Sequence, residues 1–127
     1  MQFVGAYIID SESLAPGRTM AESLGEFEQL VLLATLQLDR EAYAASLRER
    51  IENAAHRKVT RGALYATLDR LAAKGFLDWQ VDESGPERGG IPRRLFRVTE
   101  SGLQALRRSY IATQTLAQGI ENLLREA

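Results

Sequence analysis

Apolar side chains recur at three- and four-residue steps in four stretches of this 127-residue chain and alternate weakly in two short ones. In the first stretch, about Leu24 to Leu38, the stripe is Phe27, Leu30, Val31, Ala34 and Leu38, the spacing of a core helix. Leu32, Leu33 and Leu36 widen it beyond one face, so burial on two sides is expected, against the chain's own core and a partner subunit. A second helix is predicted over about Glu41 to Ala55, with Tyr43, Leu47 and Ile51 as its apolar line and Arg48, Arg50 and Glu52 pointing elsewhere. AAHRKV reads as a turn, and Val59 returns to the core. In the third helix Leu64, Leu68 and Leu71 form the stripe, Thr60 is placed to cap its start, and Gly75 is the stop. Phe76 to Val81 reads as a strand and Arg93 to Val98 as its return. Between them Gly85, Pro86, Gly89, Gly90 and Pro92 make loop chemistry.

The final stretch differs in kind. Thr99 can cap a helix that is predicted to run to the end of the chain. Leu103, Leu106, Tyr110, Thr113, Ala117, Ile120 and Leu124 are spaced alternately three and four apart, a heptad seam. About 27 helical residues at roughly 1.5 Å each would span some 40 Å, more than one small core can cover. Leu106, Tyr110, Ala117, Ile120 and Leu124 are therefore the expected dimer interface.

Helices followed by a strand, a basic loop, a strand and a long helix give a mostly α fold with a small β-hairpin (α+β). The order is that of a winged helix-turn-helix with a C-terminal dimerisation helix. Residues 20–98 would be the winged unit and residues 99–127 the dimerisation helix. Residues 1–19 do not share the patterning of the rest of the chain: FVGAYII is strand-like but interrupted by Gly5, and SESLAPG is linker-like. They read as an optional extension ahead of Met20, the alternative being an N-terminal strand or arm that packs on the dimer.

A net charge of −1 is unpromising for a nucleic-acid binder until it is divided along the chain. Residues 1–39 hold one Arg against six acids, residues 40–98 hold twelve Lys and Arg against eight acids, and residues 99–127 hold three of each. The balances are −5, +4 and 0, so the positive excess falls on the helix-turn-helix. At the start of the third helix Thr60, Arg61, Gly62 and Tyr65 are the exposed positions, with Thr67 a further candidate. Arg61 can pair with guanine edges or phosphate, the hydroxyls of Thr60 and Tyr65 suit phosphate oxygens, and Gly62 permits close approach to a backbone. Arg88, Arg93, Arg94 and Arg97 cluster on or beside the hairpin loop, within reach of a minor groove or its phosphates. Glu83 and Glu87 weaken the field there, so a phosphate role suits Arg93 or Arg94 better than a groove role suits Arg88.

Other chemistry lacks material. With no Cys and the single His56, no thiolate nucleophile, disulfide or Cys-based zinc site can form, and a metal-sensing repressor is disfavoured. No two carboxylates share an apolar helix face, and Gly89–Gly90 precedes a strand rather than a phosphate-binding helix. Neither an enzyme nor a cofactor is expected. There is no run of eighteen apolar residues and no basic region ahead of an apolar one, which points to a cytoplasmic protein without a membrane partner.

LGEFEQLVLLATL, the Tyr heading the second helix, GALYATLDRLAAKGFL and PERGGIPRRLFRVTESG together resemble the PadR family of transcriptional regulators, in its short form with a single C-terminal helix. The resemblance covers about Leu24 to Leu106. It implies a homodimer on a palindromic operator in double-stranded DNA, usually as a repressor. It also makes Tyr65 the recognition-helix tyrosine and Arg94 and Arg97 the wing-strand basic positions. Some members hold aromatic or drug-like ligands between their C-terminal helices. A small hydrophobic effector is therefore open, although no run of residues here marks its pocket. Two features depart from the pattern: Ala42 stands where members commonly carry Gly before the tyrosine, and residues 1–19 have no counterpart. The rival reading is a winged-helix module that grips another protein; steep salt dependence of duplex binding separates the two.

Overall fold

The computed structural model describes Val4–Gly5, residues 23–82 and residues 92–125. A first helix, α1, spans Glu26–Leu38, and a short 3-10 turn occupies Asp39–Glu41. Helices α2 (Ala44–Ala55) and α3 (Arg61–Ala73) come next. Strands β2 (Leu77–Asp82) and β3 (Arg93–Val98) form an antiparallel hairpin whose register runs from Leu77 opposite Val98 to Asp82 opposite Arg93. Val4–Gly5 form β1, which pairs antiparallel with β2 through Trp79 and Asp78, so the sheet order is β1-β2-β3. Helix α4 (Glu100–Ala117) and the single turn of α5 (Glu121–Arg125) complete the fold. This is the winged helix-turn-helix, mostly helical, that the pattern of the chain predicts.

The predicted stripes are the core. Val31 and Leu32 of α1, Leu47 and Ile51 of α2, and Leu64, Leu68 and Leu71 of α3 are buried together with Leu77, Phe96, Ala105 and Leu106. Thr60 caps α3 by accepting from Ala63 N–H at 3.1 Å, and Thr99 caps α4 by accepting from Gly102 N–H at 3.0 Å. Thr99 also donates to the Gly75 carbonyl at 2.6 Å, which fastens the end of β3 to the end of α3. Gly102 is required at this junction: a Cβ there would lie 2.2 Å from the Phe76 carbonyl oxygen.

Three carboxylates lie inside among the described residues, Glu28, Asp78 and Asp82. Glu28, on the first turn of α1, accepts from Gly25 N–H at 2.8 Å, from Lys74 Nζ at 2.9 and 3.0 Å and from Arg70 Nε at 3.3 Å. It ties the start of α1 to the end of α3. Burial pushes its carboxyl up, but the Gly25 N–H and the two cations outweigh this and hold it below the usual glutamate value.

Several boundaries differ from expectation. Helix α1 starts at Glu26 rather than Leu24, and α2 starts at Ala44 rather than Glu41, because the intervening residues close a 3-10 turn. Ala42 sits at φ −85°, ψ 72°, which needs no glycine, so the departure from the family pattern is accommodated without strain. The last helix does not run unbroken to the end of the chain. Gly119 takes φ +87°, and the chain turns between Ala117 and Glu121. Ile120 and Leu124 therefore stand beyond the break, off the continuous seam. Leu106 is buried in the chain's own core. Thr67 is likewise buried, receiving a hydrogen bond from Arg70 at 3.2 Å.

Candidate nucleic-acid interface

The third helix presents its first turn to solvent because its apolar stripe begins only at Leu64. Thr60, Arg61 and Gly62 are exposed, and nothing lies within 4 Å of where a Gly62 side chain would begin. Tyr65, one turn on, is partly exposed on the same side. Arg93 and Arg94 of the return strand β3, Arg61 and Tyr65 of α3, and Tyr43, Ala44 and Ala45 at the head of α2 together line a groove of about 380 Å³. A second depression, lined by Arg48, Glu49 and Glu52 and sharing Arg61 and Tyr65, extends it between α2 and α3. Helix, wing strand and helix terminus thus converge on one concave, largely basic surface.

The arginines there are held by aromatic faces. The Arg93 guanidinium lies 3.7 Å from the Tyr43 ring centre, and that of Arg94 lies 4.9 Å from Trp79 and 5.3 Å from Phe96. Stacking orients a guanidinium while leaving its edge donors available to an anion. Arg97 is placed apart. It pairs with fully buried Asp78 through Nε at 3.3 Å and Nη2 at 2.9 Å, and it faces a depression lined by Thr35, Leu36, Asp39 and Arg40 rather than the groove with Arg61. Arg88, with Glu83 and Glu87, lies outside the described residues.

Sequence reasoning missed Tyr43 and Asp82 as site residues. Tyr43 donates its hydroxyl to Asp82 Oδ2 at 2.6 Å in a buried setting. That bond to a carboxylate, then burial, raise the Tyr43 hydroxyl above the ordinary tyrosine value against the opposing influence of Arg93. The signal available in the sequence was the mirror pairing of opposite charges across the loop. Asp78 faces Arg97 and Asp82 faces Arg93, as the hairpin register requires.

On the other side the chain exposes apolar residues. Leu33 and Leu36 of α1, Tyr110, Ile111 and Leu116 of α4, and Ile120, Leu123 and Leu124 beyond it are all solvent-facing, Leu116 at 80%. Gln29, Leu33, Leu103, Leu106, Arg107, Tyr110 and Thr113 line an apolar groove of about 330 Å³ between α1 and α4. Among the described residues no helix is long and apolar enough to cross a membrane, and no three acidic or His side chains converge.

The Transcriptional regulator PadR-like family matches residues 32–108, which include α2, α3, the wing and the first half of α4. Two solved structures share the fold over nearly their whole lengths. A PadR-like transcription factor from Bacteroides fragilis is 23% identical, with a TM-score of 0.60 over 90% of this chain and 99% of that one. A PadR family transcriptional regulator from Eggerthella lenta is 26% identical, with a TM-score of 0.57 over 91% and 96%. No curated protein matches the sequence.

Proposed function

The chain belongs to the PadR-like family of transcriptional regulators, and from that premise we propose that it is a homodimeric repressor binding a palindromic operator in the cytoplasm. The observation that carries this reading is the convergence of Arg61 and Tyr65 from α3 with Arg93 and Arg94 from the wing on one groove. In this reading Arg61 addresses a base edge in the major groove. Thr60 and Tyr65 take phosphate oxygens, Gly62 lets the backbone approach, and Arg93 and Arg94 take phosphates flanking the site. Arg97 braces the hairpin through Asp78 instead of touching DNA.

Residues 20–98 form the reading unit and residues 99–127 the dimerisation unit, and within residues 1–19 the strand Val4–Gly5 adds an edge to the wing sheet. Two copies would meet through the apolar faces of α1 and α4, with Tyr110, Ala117, Ile120 and Leu124 among the contacts. The α1–α4 groove would offer a place for a small hydrophobic effector.

Selecting fragments from a random duplex pool with the purified protein and sequencing them tests the reading. The expected product is an inverted repeat whose half-sites are about one helical turn, roughly 34 Å, apart. No enriched sequence, together with no salt-sensitive duplex binding, would overturn it in favour of a protein-binding module.

A further inference from the structure

The wing is attached to the helical body at its neck. Asp82 is the last residue of β2, and Arg93, opposite it in the ladder, is the first of β3. Tyr43, immediately before α2, touches both. Its hydroxyl donates to Asp82 Oδ2 at 2.6 Å, and its ring carries the Arg93 guanidinium at 3.7 Å. The adjacent Ala42 carbonyl accepts from Phe96 N–H at 2.9 Å. Among the described residues Arg93 Nε is buried without a hydrogen-bond partner, and the ring stack orients this end of the guanidinium.

Helix α2 is in turn fixed to the start of α3, since Arg48 Nε donates to the Val59 carbonyl at 2.7 Å and Glu52 accepts from Val59 N–H at 2.8 Å. An unbroken line of contacts therefore runs from the recognition helix through α2 and Tyr43 to the wing. Asp82 would weaken DNA binding if charge alone mattered, because it is an acid beside a basic groove. Its place at the neck gives it a different use.

We propose that Tyr43 and Asp82 are positioning residues for DNA binding: with Arg93 they clamp the neck of the wing to α2, and so set the wing arginines at a fixed reach from α3. The proposal rests on the DNA-binding reading of the groove.

Three substitutions separate this from charge. Asp82→Asn removes the charge but keeps an oxygen for the Tyr43 hydroxyl, Asp82→Leu removes both, and Tyr43→Phe removes the hydroxyl but keeps the ring. Affinity is measured over a range of salt for the duplex selected by the wild-type protein and for an unrelated duplex of equal length. Asp82→Leu and Tyr43→Phe should weaken both duplexes about three- to tenfold and flatten the salt dependence by about one phosphate. Asp82→Asn should bind at least as tightly as wild type.

Because an apolar partner can leave a buried polar group stranded, the double variant Tyr43→Phe/Asp82→Leu is included with thermal unfolding. It should regain melting temperature but not the salt slope. Equal behaviour of Asp82→Asn and Asp82→Leu, wild-type binding by Tyr43→Phe, or recovery of the slope in the double variant would each overturn the clamp. A wild-type protein without salt-dependent duplex binding would overturn the functional reading itself, whereas variants that match a binding wild type overturn the clamp alone.

Discussion

The two faces of this molecule spend their side chains in opposite ways. On the side of α3 and the wing, most large apolar residues belong to the core, Tyr65 and Val81 being the exposed exceptions, and the charged residues that stand outside include a cluster of arginines. That cluster is held in place: Arg93 and Arg94 by aromatic rings, Arg97 by Asp78, and the first turn of α3 by the Thr60 cap. On the side of α1 and α4 the reverse holds. Leu33, Leu36, Tyr110, Ile111 and Leu116 face solvent. A surface that recognises a charged polymer needs donors fixed in space, since each unfixed side chain costs ordering entropy on binding. A surface that assembles needs unspent apolar area, since burial is what drives association.

The largest expected effect comes from poisoning the apolar face. Tyr110 is 59% exposed, so Tyr110→Glu should leave the single subunit folded. In a dimer built on that face the new carboxylate would be buried without a partner, at a cost of about 3–5 kcal/mol. Sedimentation should report a monomer, and operator affinity should fall towards that of one half-site. A Tyr110→Glu protein that stays dimeric would move the interface elsewhere and end the contrast between the faces.

Next is the joint that holds the reading face to α4. Gly102→Ala would set a methyl group against the Phe76 carbonyl, an obstacle that no side-chain rotation relieves. Overpacking of this kind costs about 3 kcal/mol, so the melting temperature should drop clearly. Unchanged melting would mean that the start of α4 can slide on the strand.

Within the reading face, Arg61 and Arg94 should separate by kind of contact. Arg61→Ala should cost about 1–3 kcal/mol and relax preference at one position per half-site. Arg94→Ala should weaken all duplexes alike and flatten the salt slope by about one phosphate. If Arg61→Ala also weakens all sequences equally, Arg61 is a phosphate contact and α3 reads through other residues.

Much of this arrangement was legible in the sequence because it derives from periodicity and local chemistry. The stripe Leu64, Leu68, Leu71 fixes which side of α3 is buried, and therefore that Arg61 and Tyr65 are not. Thr60 and Thr99 announce their helices because a hydroxyl before an apolar-periodic run satisfies otherwise unpaired N–H groups. The hairpin is implied by a Gly- and Pro-rich loop between two apolar segments.

The features that escaped depend on partners distant in sequence or on backbone detail. Tyr43 and Asp82 are 39 residues apart, and although the hairpin sets Asp82 opposite Arg93, nothing local marks Tyr43 as its partner. Arg97 has the same composition and neighbourhood as Arg94, and only the strand register assigns it to Asp78. The seam beyond Ala117 misleads because an alternating three-four pattern survives a break in the helix that bears it. Gly119 was the one local sign of the turn.

The smallest effect concerns the charge that locks α1 to α3, the joint between the two faces. Glu28 is held below its ordinary value, so the folded state favours the carboxylate more than the unfolded state does. For an acid with a depressed value, the stabilisation is fully present above the unfolded value near 4.5 and is lost as pH falls through the lower, folded one. Glu28→Gln cannot ionise, so it should be less stable than wild type by about 1 kcal/mol at neutral pH, with part of the loss offset because Gln still offers an oxygen to Gly25 and Lys74. The gap should narrow once the pH drops below about 4.5. Denaturant unfolding of both proteins between neutral and acid pH measures it, and Tyr110→Phe serves as the control on the apolar face. A gap that stays constant with pH would show that Glu28 contributes through packing and neutral hydrogen bonds. The α1–α3 lock would then not be a charge effect, and the reading half would owe its rigidity to its core and caps.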